Sequence, residues 1–157
     1  MTAGPSRLAA AGAARLPAVV APGCVDMVNF GARDSVPAKF SRHVLPAQRT
    51  SHPDADHAGR MRRAIAGFIA AKLNAYPVRP TVALPLGGVS VIAEPGGPFH
   101  DPEADRALFR TLKAKLDPGI EVVESALPIN HPEFARLCAE RLLAAIAGDP
   151  AARRSIS

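Results

Sequence analysis

The sequence predicts an α/β fold with a mostly parallel β-sheet, and three observations lead to this prediction. Short apolar runs alternate with helical segments in the order strand, helix, strand, helix, strand, helix, which favours parallel strands joined by helical crossovers. Sixteen prolines and twelve glycines argue against a plain helical bundle, because proline ends or kinks a helix. Hydrophobic residues make up 48% of the chain and aromatic residues only 4%, so the core is expected to be aliphatic. Three strands form a small sheet, and the unit looks incomplete.

The first part of the chain carries the weakest pattern. Residues 5–15 predict a short, poor helix, and the apolar run 18–21, bounded by prolines, predicts a buried strand. Residues 22–53 show no sustained period, and such a long irregular stretch in a compact domain is usually functional or disordered. The clearest helix spans 54–75. Its expected inner face consists of Met61, Ile65, Phe68, Ile69 and Leu73.

The middle of the chain predicts a second strand and helix. An apolar strand over 81–84 is followed by a loop rich in glycine and proline, 85–100. Asp101 then has the position of an N-cap, and Pro102 stands at the first helical position. The expected inner face of this helix consists of Ala104, Leu108, Leu112 and Leu116.

The last strand and helix follow. Residues 120–124 alternate in polarity and are expected near an edge of the sheet. A final helix opens at Asn130-His131-Pro132 and is closed by Gly148 and Pro150. Its expected inner face consists of Phe134, Leu137, Cys138, Leu142 and Ile146.

Charge and composition exclude several classes of function. The net charge is +5, and residues 1–63 account for all of it, with nine Lys or Arg against four Asp or Glu. No aromatic residues are interleaved with these cations, so nucleic-acid binding is not expected. No apolar run is long enough to cross a membrane, and no His, Cys or carboxylate spacing predicts a metal site. Two cysteines are too few for a disulfide framework, which favours the cytoplasm.

Polar side chains follow each of the three predicted strands. Ligands of open parallel sheets bind at the carboxyl ends of the strands, so the sequence predicts a site where these three loops converge. Asp26 and Asn29 follow the first strand, Ser90 and Asp101 follow the second, and Asn130 follows the third. This argument gives a location and leaves the reaction and any catalytic residue unknown.

Several of these residues also have a purely structural interpretation. The capping pattern accounts fully for Asp101. The glycines of the loop 85–100 lack the spacing of known phosphate-binding loops, so tight turns are favoured over a phosphate cradle. Cys24 has no adjacent base and is expected to be a small packed thiol, and Cys138 is expected in the core.

Three stretches in register carry a family resemblance: PGCVDMVNFG (22–31), LPLGGVSVIAEPGGPFHDPEADRALF (84–109) and IEVVESALPINHPEFA (120–135). They resemble the C-terminal portion of the Tm-one-like ATP-binding domain family of bacteria and fungi. The resemblance implies a Rossmann-like, three-layer α/β fold, cut at its N-terminus. It divides the chain into a remnant helix (1–16), a C-terminal α/β subdomain (17–149) and a disordered tail (150–157).

Carried over by position, the resemblance implies a set of ligand-binding residues. Cys24 stands where the family usually has alanine, and Ala93 and His131 stand where it usually has aspartate. The second of these departures loses a carboxylate, and the third loses a better helix cap. The ligand-binding residues implied are Asp26, Asn29, Gly31, Gly88, Ser90, Gly96, Asp101 and Asn130.

The sequence leaves three interpretations of function open. The first is a nucleotide, or another small phosphate or acid, bound at the carboxyl edge of the sheet. The resemblance implies ATP, with its main site in the missing N-terminal part. The second is an interaction module that forms a homo-oligomer or pairs with a separate N-terminal half, since the plant relative of the family acts by binding a viral replication protein. The third is a gene fragment without function of its own.

Overall fold

The computed structural model describes residues 4–29, 44–45, 50–51 and 55–148. The predicted strands and helices are present and lie in the expected order. The strands of the main sheet are β1 (Val19–Val20), β5 (Thr81–Pro85) and β6 (Glu121–Ser125). The helices are α1 (Ala10–Ala13), α2 (Ala55–Asn74), α3 (Pro102–Lys115) and α4 (Pro132–Ala147). The predicted tail, 150–157, lies outside the described residues.

The main sheet is parallel and has the order β1-β5-β6. Thr81 lies opposite Val19 on one side and opposite Glu121 on the other, so β5 is the central strand. All five residues of β5 are buried, whereas β6 is only partly buried, as expected for an edge strand. The α/β fold with a parallel sheet is therefore confirmed.

A second, antiparallel sheet corrects the prediction that residues 22–53 are irregular. It consists of β2 (Val28–Asn29), β3 (Val44–Leu45) and β4 (Thr50–Ser51), in the order β2-β4-β3. Each strand has only two residues, too few to produce a recognisable alternation of polar and apolar residues. Their pairing depends on contacts between segments that are distant in sequence.

Helices cover both faces of the main sheet. Val82 and Leu84 of β5 pack in one hydrophobic cluster with residues of α2 and α3. Alternate side chains of a strand point to opposite faces, and α4 contacts β5 and β1. Arg141 of α4 donates a hydrogen bond to Glu121 of β6 at 2.8 Å, and Thr81 of β5 donates to the same carboxylate at 2.8 Å. The result is a three-layer arrangement with α4 on the face opposite α2 and α3.

The inner face of α2 differs from the predicted one by about one residue. Of the predicted set, Ile69 and Leu73 are buried, whereas Phe68 is 42% exposed. Met61 and Ile65 are partly buried and line an apolar cavity of about 550 Å³ beside the segment that follows β1. The buried face consists of Ala58, Arg62, Ala66, Ile69, Ala70 and Leu73. Alanines on this face let α2 approach α3 closely. This close packing decides which face is buried, although the larger apolar side chains lie on the neighbouring face.

The predictions for α3 are confirmed, and those for α4 are partly confirmed. The four residues expected on the inner face of α3 are all buried, and the Asp101 carboxylate accepts a hydrogen bond from Ala104 N at 2.9 Å. On α4, Phe134 is buried, but Ile146 is 63% exposed, so its predicted place in the core is wrong. His131 acts as the N-cap through Nδ1, which accepts from Glu133 N at 3.1 Å, and Gly148 ends the helix with φ of 70°.

The short helix α1 is attached to the α/β unit through Tyr76. The Tyr76 hydroxyl donates a hydrogen bond to the Leu8 carbonyl at 2.5 Å. A Cβ added at Gly12 would lie 2.6 Å from the Tyr76 ring, so the helix packs closely on this ring. The expected helix over 5–15 is thus present as one turn. Across the ranges that the structure describes, no helix combines the length and hydropathy that a membrane crossing requires.

Candidate functional site

The three loops that follow the parallel strands meet at the carboxyl edge of the sheet. Cys24 N, after β1, donates a hydrogen bond to Val89 O, after β5, at 2.8 Å. Ile129 N, after β6, donates to Gly88 O at 3.0 Å. Gly87 N donates to Leu127 O at 3.3 Å, so the loops after β5 and β6 are joined twice. Backbone hydrogen bonds therefore hold all three loops in one cluster.

Two of the predicted site residues form a buried pair within this cluster. The Ser90 hydroxyl donates a hydrogen bond to Asp26 Oδ2 at 2.5 Å, and both residues are buried. Ser90 Oγ also accepts from Ala93 N at 3.2 Å and caps the 3₁₀ turn Val91–Ala93. The serine thus fixes the position of Asp26 relative to the loop after β5, although the two residues are 64 positions apart.

Two further buried polar residues, which the sequence predictions missed, form an ion pair between α2 and α3. Arg62 of α2 is 0% exposed, and its Nη1 donates to Asp105 Oδ1 in the first turn of α3. The position of Arg62 on the helix offered a signal, because it falls in register with Ala58 and Ala66 on the face that α2 buries. The signal was missed because the predicted inner face of α2 is displaced by about one residue from the observed one.

The environment of Asp105 favours its protonated form. Burial raises the pKa of Asp105 above its ordinary value, and Arg62 opposes this increase. The carboxylates of Asp26 and Asp101 raise the pKa further, and Asp101 lies one helical turn before Asp105. Four ionisable side chains (Asp26, Arg62, Asp101 and Asp105) therefore influence one another here. Within the described ranges, no group of three or more His, Cys, Asp or Glu is arranged to hold a metal ion.

We expect Asp105 to make stability decrease as the pH rises. Because its pKa is higher in the folded chain than in the unfolded chain, the folded state binds this proton more tightly. The contribution of Asp105 is then greatest below the ordinary pKa of 3.8 and is lost as the pH rises through the higher, folded-state pKa. Urea unfolding of the parent chain and Asp105→Asn, from about pH 4 to about pH 7, measures the difference in free energy between them.

The matched control for this measurement is Asp117→Asn, because the Asp117 side chain is 44% exposed in a surface ion pair with Arg79. Its stability difference should depend on pH less than that of Asp105→Asn. A stability difference for Asp105→Asn that grows with pH would show that Arg62 outweighs burial.

The other predicted residues lie around this cluster in different roles. Asn29 belongs to β2 of the small sheet, where its backbone pairs with Thr50, and Asn130 is exposed in the loop after β6. Gly88 and Gly96 have φ of 145° and 85°, conformations that favour glycine, so both serve the turns of their loop. Gly31 lies outside the described residues.

The amide groups of the glycine-rich loop bond within the cluster. Gly88 N donates to Pro85 O at 3.2 Å, and Gly97 N donates to Glu94 O at 2.8 Å. Together with the bond from Gly87 to Leu127, these bonds use three of the amides that a phosphate cradle would need. The structure therefore agrees with the interpretation of these glycines as turn residues.

Comparison with known proteins gives the family of this chain. A family model described as the C-terminal domain of uncharacterised protein family UPF0261 matches residues 1–146. The chain belongs to this family. A UPF0261 protein of Clostridium tetani is 37% identical over 151 residues, which cover 91% of this chain and 36% of that protein. A UPF0261 protein of Brucella melitensis is 36% identical over 135 residues, covering 86% of this chain and 32% of that protein.

A plant protein is also similar. The ToMV resistance protein Tm-1(GCR237) of Solanum lycopersicum is 35% identical over 137 residues, which cover 82% of this chain and 17% of the tomato protein. The chain thus spans about a third of the length of the bacterial UPF0261 relatives and about a sixth of the tomato relative. These matches confirm the resemblance found in the sequence.

The two cysteines of this UPF0261 domain lie in different environments. Cys24 is exposed, so its predicted burial as a packed thiol is wrong, and its φ of 52° is unusual for a residue other than glycine. The loop after β1 needs a left-handed residue here, and this conformation turns the side chain towards solvent. Cys138 is partly buried on α4, and burial raises the pKa of its thiol.

We expect the two thiols to react with an aromatic disulfide reagent at clearly different rates. Cys24 should react rapidly because it is exposed, and Cys138 slowly because burial limits both access and thiolate formation. Absorbance of the released thiolate at mildly alkaline pH separates the two phases. Cys24→Ser should remove the fast phase and Cys138→Ser the slow one, and a fast phase that survives in Cys24→Ser would contradict this assignment.

Proposed function

We propose that this UPF0261 domain binds a small polar ligand, a nucleotide or another phosphorylated or acidic compound, at the carboxyl edge of its parallel sheet. The observation that carries the proposal is the buried Asp26–Ser90 pair, which joins the loops after β1 and β5. Burying polar groups costs free energy, and a cluster of buried ionisable residues is a candidate for a functional site. The carboxyl edge is also where open α/β sheets bind their ligands.

The chemistry of the cluster suits a ligand with both hydrogen-bond donors and acceptors. Asp26 offers a carboxylate to hydroxyl groups, while the guanidinium of Arg62 favours oxygens that carry negative charge. Sugar phosphates and small acids are the first compounds to test. ATP is tested beside them, because the resemblance to the Tm-one-like family implies nucleotide binding, with its main site in the N-terminal part. We also propose a cytoplasmic location, since Cys24 and Cys138 are both free thiols.

Thermal unfolding of the chain with millimolar nucleotides, sugar phosphates or small acids tests the proposal. A ligand that binds only the folded state raises the melting temperature in proportion to its saturation. Asp26→Asn and Ser90→Ala should reduce this increase. Thr111→Ala is the matched control and should leave the increase unchanged, because among the described residues the Thr111 hydroxyl bonds to Ala107 O within α3. An unchanged melting temperature with every compound would refute the proposal.

A second candidate function is self-association, and one observation favours it. Leu143 and Ile146 of α4 are 65% and 63% exposed and lie three residues apart, on the same side of the helix. Sedimentation across a hundredfold dilution should then show a concentration-dependent mass, which Leu143→Gln should abolish. A constant monomer mass would exclude this function and leave the ligand proposal unaffected.

A further inference from the structure

We infer that Arg62 is the anchor for an oxyanion, a carboxylate or a phosphate group, of a ligand that also carries hydroxyl groups. The inference rests on the proposed function and names the group that binds the charged end of the ligand. The Arg62 side chain is 0% exposed. Its Nη1 bonds to Asp105, whereas Nε and Nη2 have no hydrogen-bond partner within the described part of the chain.

The two unpartnered nitrogens form a pair suited to this task. The N–H bonds of Nε and Nη2 lie side by side on one edge of the planar guanidinium and point in parallel directions. This edge matches the two oxygens of a carboxylate or phosphate, which accept both hydrogen bonds at once. Since Asp105 uses the opposite end of the guanidinium, it orients Arg62 and leaves the whole fork open.

Burial makes the open fork unusual. More than nine in ten buried polar groups of native proteins have a hydrogen-bond partner, and an unsatisfied buried cation is especially costly. Both remaining nitrogens of the fully buried Arg62 guanidinium lack a partner among the described residues. The free-energy cost of burying unpaired donors therefore falls on this one side chain. A bound oxyanion would satisfy both N–H groups in a setting of low dielectric, where charge-assisted hydrogen bonds are strong.

The surrounding charges restrict the class of ligand. Asp105 pairs with Arg62, and Asp101 lies one helical turn before it, where its carbonyl accepts from Asp105 N at 3.1 Å. A bare anion would therefore meet carboxylates as well as the guanidinium. Hydroxyl groups next to the oxyanion would donate to these carboxylates and offset the repulsion. A hydroxy acid and a sugar phosphate share this chemistry. Arg62 is fully buried, so a ligand reaches the fork only when the groups that cover it move.

Calorimetric titration of the intact chain tests the inference with four probes: L-malate, succinate, ribose 5-phosphate and inorganic phosphate. Malate and succinate differ only in one hydroxyl group, so malate should bind more tightly. Ribose 5-phosphate should likewise bind more tightly than inorganic phosphate. If malate binds more tightly than ribose 5-phosphate, the oxyanion is a carboxylate, and the opposite order indicates a phosphate. Equal affinity within both pairs would refute the requirement for hydroxyl groups.

Arg62→Lys is the decisive variant, because it keeps the positive charge and removes the fork. It should weaken binding of the preferred probe by about tenfold or more while the chain still unfolds cooperatively. Equal affinity in Arg62→Lys, with weaker binding in Ser90→Ala, would overturn the role of Arg62 and leave the proposed function standing. No binding of any probe to the parent chain would overturn the inference, whereas the proposed function would still stand if a nucleotide raised the melting temperature.

A spectroscopic measurement covers the case in which Arg62→Lys does not fold. The Nε–H resonance of Arg62 in the parent chain, assigned through bonds from the backbone, reports directly on the fork. Saturating probe should shift this resonance downfield and slow its exchange with water, because the N–H becomes a charge-assisted donor. A resonance that saturation leaves unchanged would overturn the inference.

Discussion

Gly87→Ala is expected to destabilise the domain by about 3 kcal/mol, because the added methyl group has no space and meets groups that cannot move aside. A Cβ at this position would lie 2.5 Å from Ala126 O, 2.6 Å from Pro128 N and 2.7 Å from Leu127 C. All three atoms belong to the backbone of the loop after β6. Relief requires this loop to separate from the loop after β5, so the substitution should weaken ligand binding at the sheet edge as well.

Urea unfolding measures this change, and Gly67→Ala in α2 is the matched control. A Cβ at Gly67 would lie 3.4 Å from Lys115 Nζ, the mobile end of a long side chain. Alanine in the middle of a helix is more favourable than glycine by roughly 0.5–1 kcal/mol, so this variant should be more stable than the parent chain. If Gly87→Ala proves as stable as the parent, the loops are not packed as closely as the structure shows.

Leu112→Ala is expected to cost about 3–4 kcal/mol, because it leaves a cavity in the main core. Leu112, on α3, is 0% exposed and packs in the hydrophobic cluster that α3 forms with α2 and β5. Leu143→Ala makes the same chemical change on α4, where the side chain is 65% exposed, and should cost less than about 0.5 kcal/mol. The difference between the two variants therefore measures burial rather than helix propensity.

Thermal and urea unfolding of both variants give this comparison. Similar losses in the two would contradict the assignment of the core to α2, α3 and β5. A large loss in Leu143→Ala alone would instead show that α4 buries its outer side in an assembly, which sedimentation of the same variant would then detect.

Local patterns predicted much of the fold. Proline, glycine and polar caps act on the residues beside them, so the boundaries of β5, β6, α3 and α4 could be read to within one or two residues. The inner face of α3 was also predicted, since Leu108 and Leu112 stand in a regular row with polar residues opposite. The strands β2, β3 and β4 could not be predicted, because two-residue strands exist only through their pairing.

The candidate site was predictable in location and only partly in composition. Polar residues after parallel strands must come together at one edge, and Asp26 and Ser90 do form a hydrogen bond there. Arg62 and Asp105 escaped prediction because both stand inside helices, where charged residues usually face solvent. Their contact joins positions that are 43 residues apart.

Sequence patterns establish the α/β order of the elements, the parallel arrangement of the main strands and the family of this chain. Tertiary packing selects the buried side of α2, leaves Cys24 exposed and brings Arg62 to Asp105. The physical reason is that helical periodicity defines a face only within about one residue, or 100° of rotation. Close packing against α3 then selects the exact face and, with it, the cation that α2 carries into the site.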